Sequence, residues 1–167
     1  HQVAFAYGAV RAASRDSDFG KLKALLSGDL GYDGLKVDQD LRWAIIEALA
    51  AAGHDDDGVL ADREAAADDT ADGRRHRAAA RAARPLAEAK AEAWRLVVET
   101  PDQPNDLIGA VLGEFHHGDR EKLAEPFVEL YFEGLAAVWG ERSSRGLAST
   151  LSIRCSTCRR PVCGGIT

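Results

Sequence analysis

Three cysteines stand near the end of the chain, and Cys155-Ser156-Thr157-Cys158 has the two-residue gap of zinc and redox sites, with Cys163 beyond it. Tetrahedral zinc needs a fourth ligand, and no Cys or His follows Cys163. A thioredoxin-type pair needs a strand leading into a helix, which this stretch does not offer. These cysteines therefore read as free thiols on an unpacked end. A second cluster, Gly53-His54-Asp55-Asp56-Asp57-Gly58 with Glu64, puts Asp, Asp, Gly and Glu at positions 3, 5, 6 and 12 of a calcium loop. Position 1, where a hard cation needs a carboxylate, is Gly53. An acidic start to a helix explains the same residues through the helix dipole. His116-His117 with Glu114 and Asp119 has ligand types, but adjacent His side chains on a turn point apart, which favours a solvated loop.

The fourth cluster is basic. Arg74, Arg77, Arg81 and Arg84 recur at intervals of three and four residues and so share one helical face. Such a face either pairs with acidic neighbours or captures a carboxylate, for which the planar guanidinium is well shaped. The chain contains no His-Glu-x-x-His, no Gly-x-Ser-x-Gly, no Gly-x-x-x-x-Gly-Lys and no Gly-x-Gly-x-x-Gly. No catalytic residue and no metal ligand is assigned, and the residues alone describe a helical scaffold or interaction module.

The elements that position these side chains are helices, because Ala, Leu, Glu, Arg and Lys dominate from Asp38 to Glu141 and alternating β-branched runs are missing. Apolar spacing predicts helices over Val3–Ala13 and Phe19–Leu26, the second stopped by Gly28. Residues 27–37 form a turn-rich connection. Asp38 or Asp40 caps a third helix carrying Leu41, Ile45, Ala48, Leu49 and Ala52, which Gly53 ends. A fourth starts at Asp55–Asp57 and runs to Ala67; a fifth, capped by Asp68, Asp69 or Thr70, runs to Ala83 before Arg84-Pro85 breaks it. A sixth covers Leu86–Glu99, and after a loop over 100–104 Asn105 caps a seventh over Asp106–Phe115. A longer helix then carries Leu123, Phe127, Leu130, Tyr131, Leu135 and Val138, with Pro126 either kinking it or marking a later first turn. The tryptophans Trp43, Trp94 and Trp139 are assigned to packing. Pairs beginning near Asp38, Thr70 and Asn105 repeat at roughly 32–35 residues, the range of helical-hairpin arrays. The expected fold is all-α, a curved HEAT- or armadillo-like array of antiparallel helix pairs over residues 1–148; a compact irregular bundle is the other arrangement that fits.

The 167 residues carry 27 acidic and 21 basic side chains, a net charge of −6, which argues against a surface built for nucleic acid. No apolar run reaches the roughly 20 residues of a membrane-spanning helix, and no basic leader precedes an apolar stretch, so neither membrane nor nucleic acid is expected as a partner and the expected location is the cytoplasm. There is no methionine, so the chain is expected to be a piece of a longer polypeptide. Charge is unevenly placed: residues 142–167 hold five Arg and no acidic residue, whereas residues 1–141 hold 16 basic and 27 acidic. Residues 149–167 are accordingly expected to be a basic, Cys-bearing tail outside the array, disordered or irregular, with a changed reading frame or a truncation as its proposed origin.

Several segments together resemble the C-terminal helical domain of bacterial aminopeptidase N, of the zinc gluzincin aminopeptidase family. They are Asp40-Leu41-Arg42-Trp43 with Leu49-Ala50 and Gly53, then Asp69-Thr70-Ala71-Asp72-Gly73-Arg74-Arg75, Ala79-Ala80-Arg81-Ala82-Ala83-Arg84-Pro85, Ala89-Lys90-Ala91-Glu92-Ala93-Trp94, Asn105, Tyr131-Phe132, Trp139 and Arg142-Ser143-Ser144. Their order covers about residues 20–148. The resemblance implies a noncatalytic superhelical domain that covers the catalytic portion of a longer enzyme and shapes its peptide cavity. It also implies that zinc and the residues recognising a peptide's amino end lie in the missing portion. This chain alone should then hydrolyse nothing, its partners being that catalytic portion and a peptide substrate. Arg74, Arg77 and Arg81 become the candidates for the cavity wall. A freestanding repeat module that binds a partner peptide in its concave face is the alternative.

Overall fold

A computed structural model describes residues 2–55, 57–100, 102–115, 123, 125–127 and 130, and among these there are helices and no strands. The helices are α1 (Gln2–Ala12), α2 (Asp16–Ser27), α3 (Gln39–Ala51), α4 (Val59–Ala67), α5 (Ala71–Ala83), α6 (Ala87–Trp94) with a π-helical turn (Arg95–Glu99), and α7 (Asn105–Phe115). The fold is all-α, as composition and periodicity require.

Local chemistry sets most boundaries. Asp38 accepts a hydrogen bond from the Leu41 N–H at 3.0 Å, and Thr70 Oγ1 accepts one from Gly73 N–H at 2.9 Å, satisfying orphan donors at the starts of α3 and α5. Helix α2 begins three residues earlier than the apolar stripe suggests, because the Asp18 carboxylate reaches back to the Arg15 N–H at 3.2 Å. Gly28 and Gly53 follow α2 and α3 with φ of +87° and +79°, a conformation that side-chain-bearing residues rarely adopt. Asn105 is not the cap of α7: Ile108 N–H already donates to Pro104 O at 3.0 Å, so the helix starts one residue sooner. The helix expected over Leu86–Glu99 changes to a π-helical turn at Arg95, and Val97 is buried in the same cluster as Ala93.

Each helix from α2 to α7 packs on the next, and the odd-numbered ones also contact each other in succession, α1 with α3, α3 with α5, α5 with α7. Three apolar clusters follow one another beneath them. Leu41, Ile45 and Leu49 of α3 close the first with Val10, Phe19, Leu22 and Leu25. Trp43, Ile46 and Ala50, on another face of α3, form the second with Ala61 and Ala80. Ala82, Ala93, Val97, Ile108, Val111 and Phe115 make the third. Helices α3 and α5 thus each serve two clusters, as a stacked repeat requires, where no pair buries its apolar face alone. The positions described at 123, 125–127 and 130 are helical, and Phe127 packs on Trp94 and Phe115, with ring centroids 5.5 and 5.4 Å apart. Trp139, the three cysteines and the basic tail lie outside the described residues.

Candidate functional site

The basic residues singled out by spacing do come together. Arg74, Arg77 and Arg81 project from α5 along a groove of about 290 Å³ whose floor is apolar, built by Ala78, Ala82 and Ala93 with Leu96, Leu107 and Val111. Glu92 of α6 is the acidic residue on its wall. Helix α5 packs closely against its neighbours because its buried residues are all small: Gly73, Ala79, Ala80, Ala82 and Ala83. Beside the groove, Lys90 is completely buried. Its ammonium donates to Ala82 O near the end of α5 and lies 5.4 Å from the centre of the Phe115 ring, linking α6 to both neighbouring helices.

The guanidiniums are not bare. Arg77 Nε donates to Asp62 Oδ1 at 2.7 Å, and Arg81 Nη1 approaches both oxygens of the same carboxylate at 3.2 and 3.3 Å. Arg81 and Arg84 also reach Glu92, at 3.5 and 3.7 Å, and Arg74 pairs with Asp69 at 2.9 Å. Partial burial of Asp62 opposes its charge, but the hydrogen bond and charge of Arg77, then those of Arg81, outweigh it and hold the carboxyl below its ordinary value. Both sequence readings therefore meet on one surface: a paired face with groove-lining cations. Arg84 leaves the helical row at the C-terminus of α5, where it is buried and its Nε bonds to Arg81 O at 3.2 Å.

What fixes α5 is its joint with α3 and α4, which sequence spacing did not reveal. Glu64, read above as a possible twelfth ligand, instead accepts Arg42 through both oxygens, at 2.7 and 2.6 Å, and Gln39 at 2.8 Å. Arg42 foremost, with Gln39 behind it and burial opposing, holds the Glu64 carboxyl below its ordinary value. Asp55 is 4% exposed and accepts from Leu60 N–H at 3.0 Å and Ala61 N–H at 3.4 Å, so it caps α4 from outside. Calcium-loop spacing is thus resolved into a cap of α4 and an ion pair from α4 to α3. Trp43, 1% exposed, donates from its indole to Asp68 at 2.8 Å, and Thr70 donates to the other oxygen at 2.7 Å. These two bonds keep the Asp68 carboxyl below its ordinary value. His76 stacks on Trp43 at 5.5 Å and pairs through Nδ1 with Glu47 at 2.8 Å. A Cβ on Gly73 would come within 2.1 Å of Asp68 O, so α5 meets the end of α4 where no side chain fits.

Among the described residues, no group of three or more His, Cys, Asp or Glu can hold a metal ion, so they do not fit zinc. His116 and His117 lie outside the described residues, as does Asp119. No helix among the described residues is long and apolar enough to cross a membrane.

Comparison with known proteins bears on the groove's setting. The chain is 43% identical over 143 residues to aminopeptidase N of Streptomyces lividans, a match that takes in 86% of this chain and 17% of that relative, so the chain spans about a sixth of the relative's length. The model of the ERAP1-like C-terminal domain matches residues 5–158, which include every helix described above except the first three residues of α1. The chain belongs to the ERAP1-like C-terminal domain family.

Proposed function

We propose that this chain is the noncatalytic C-terminal helical domain of a zinc-dependent aminopeptidase N, covering the catalytic portion and shaping the cavity that peptides enter. The parent would hold its zinc in that other portion and act in the cytoplasm, removing N-terminal residues from peptides by metal-activated water. Residues 1–148 form the domain in this reading and 149–167 an unpacked tail. The observation that carries it is the 43% identity to a named aminopeptidase N along most of this chain but only 17% of that relative. Purified chain, supplied with zinc and aminoacyl amides, is expected to release nothing above background; hydrolysis would overturn the assignment.

Within that reading, Arg74, Arg77 and Arg81 face the peptide cavity and hold the acidic or C-terminal end of a longer peptide. An apolar floor beneath a guanidinium rim suits a peptide end, whose side chains and carboxylate need different surroundings. An incoming carboxylate shares Arg77 and Arg81 with Asp62, so the contact tunes affinity rather than creating it. Arg77→Glu in the parent should raise KM for longer peptides more than for aminoacyl amides. Equal changes for both substrates would reduce the rim to a structural face.

A further inference from the structure

The three arginines on the groove rim are held by their acidic partners in different ways. Arg74 pairs with Asp69, which has no other cation on it among the described residues. Arg77 grips Asp62 through Nε at 2.7 Å. Arg81 is held more loosely and by two acids, at 3.2 and 3.3 Å from the oxygens of Asp62 and 3.5 Å from Glu92. A strong guanidinium–carboxylate bond is shorter, roughly 2.7–2.9 Å. Each acid on Arg81 also has a second arginine: Asp62 keeps Arg77, and Glu92 has Arg84 Nη2 3.7 Å away. Arg84 is itself buried, with Nε bonded to the Arg81 carbonyl, so its place beside Glu92 does not depend on the Arg81 side chain.

Turning Arg81 away therefore leaves neither carboxylate without a cation. Turning Arg74 away would strip Asp69, and turning Arg77 away would leave Asp62 with long contacts only. Arg81 also has room to turn, since its side chain is 32% exposed and lines the groove over the apolar floor. We propose that Arg81 is the exchangeable cation of the rim: it swings from Asp62 and Glu92 to the carboxylate of a peptide's C-terminus, and these two acids, by competing for it, set how tightly longer peptides are held. The inference rests on the cavity reading above and adds the residues that fix its strength. Asp62 is not among the residues lining the groove, so it acts on a peptide only through the arginines it holds. Exchanging one carboxylate for another on the same guanidinium gains little net energy, which lets the rim sense a free C-terminus without retaining the peptide.

The test uses one longer peptide in two forms, with a free C-terminal carboxylate and with a C-terminal amide, on the intact parent enzyme. The readout is the ratio of KM for the amide to KM for the carboxylate, expected above one in the unsubstituted enzyme. Asp62→Asn should raise that ratio about three- to fivefold, the upper range for an exposed ion pair. In an Arg81→Gln background the same substitution should raise it no further. Asp69→Asn, which takes an equal charge away from Arg74, should change it by less than about 1.5-fold at 0.15 M salt, where distant exposed charges are screened. Asp62→Ser repeats the charge removal with a different side chain, and unfolding midpoints show that each variant is intact. No gain with either Asp62 variant, a gain that persists without Arg81, or an equal gain with Asp69→Asn would overturn the proposal, and a ratio above one in the same enzyme would leave the cavity reading standing. A ratio of one in both the unsubstituted enzyme and Arg77→Glu would remove the cavity reading itself.

Discussion

At the joint of α3, α4 and α5, each helix or its end sends a polar side chain to a specific partner on another: Arg42 to Glu64, Trp43 to Asp68, His76 to Glu47. At the α1–α2 end the contacts are mainly apolar, joined by Gln2 donating to Asp33 O at 2.7 Å, Arg42 Nη1 donating to Leu26 O at 3.0 Å and His54 lying 3.6 Å from Asp16, and Phe5 and Tyr32 stay in solvent. Both regions bury an apolar cluster, yet the joint carries the denser set of side-chain bonds between helices. Apolar contacts are non-directional and tolerate sliding, whereas a bidentate carboxylate–guanidinium pair and an indole hydrogen bond specify distance and angle. The array is thus most sharply defined in its middle, under the Arg-rimmed groove, and less so at its α1–α2 end.

The contrast is most severely tested at Trp43. Trp43→Ala should cost on the order of 3–5 kcal/mol in urea unfolding, through lost burial and an abandoned Asp68 partner. A cost below about 1 kcal/mol would show that the joint is not the anchor. Glu64→Ala should follow at about 2–3 kcal/mol, under the value for a fully buried pair because the Arg42 side chain remains 34% exposed. That pair also sets a pH window. Because the folded Glu64 value lies below the ordinary 4.5, its stabilisation is complete above that pH and is lost as pH falls through the lower folded value. Thermal midpoints measured between pH 6 and 3 should therefore decline more gently in Glu64→Gln than in the parent chain, and parallel curves would break the argument. Gly73→Ala should cost about 1–3 kcal/mol through overlap with the Asp68 carbonyl. At the other region, Phe5→Ser in the isolated chain should change stability by no more than about 0.5 kcal/mol, since the ring is already in water. A larger loss there would erase the difference between the two regions.

Much of the scaffold is legible in the sequence, because helix starts and stops are local. Asp38, Thr70, Gly28 and Gly53 each act within a few residues of themselves, so their roles follow from spacing. The Arg row is legible for the same reason, since 74, 77 and 81 lie on one side of any helix. Its partners are not: Asp62 sits 15 residues from Arg77, and which acidic side chain stands opposite depends on how α4 is laid against α5. Glu64 was misleading because a loop signature counts positions along the chain, while the carboxylate turns toward Arg42, 22 residues away. Lys90 looks like a solvated residue in composition, yet it is wholly buried because its ammonium finds the Ala82 carbonyl near the end of α5. The π-helical turn at Arg95 has no local marker in the sequence, and Val97 is its buried residue.

The stacking of alternate helices has a kinetic corollary. The hydrogen bonds tying one helix or connection to another are short in sequence, 29 residues for His76 to Glu47 and 31 for Gln2 to Asp33. Each layer closes soon after its residues exist, so loop closure stays inexpensive at every step and folding can begin at any hairpin and spread along the array. During synthesis, the Trp43 joint can form once α5 has left the ribosome, before α7 has emerged.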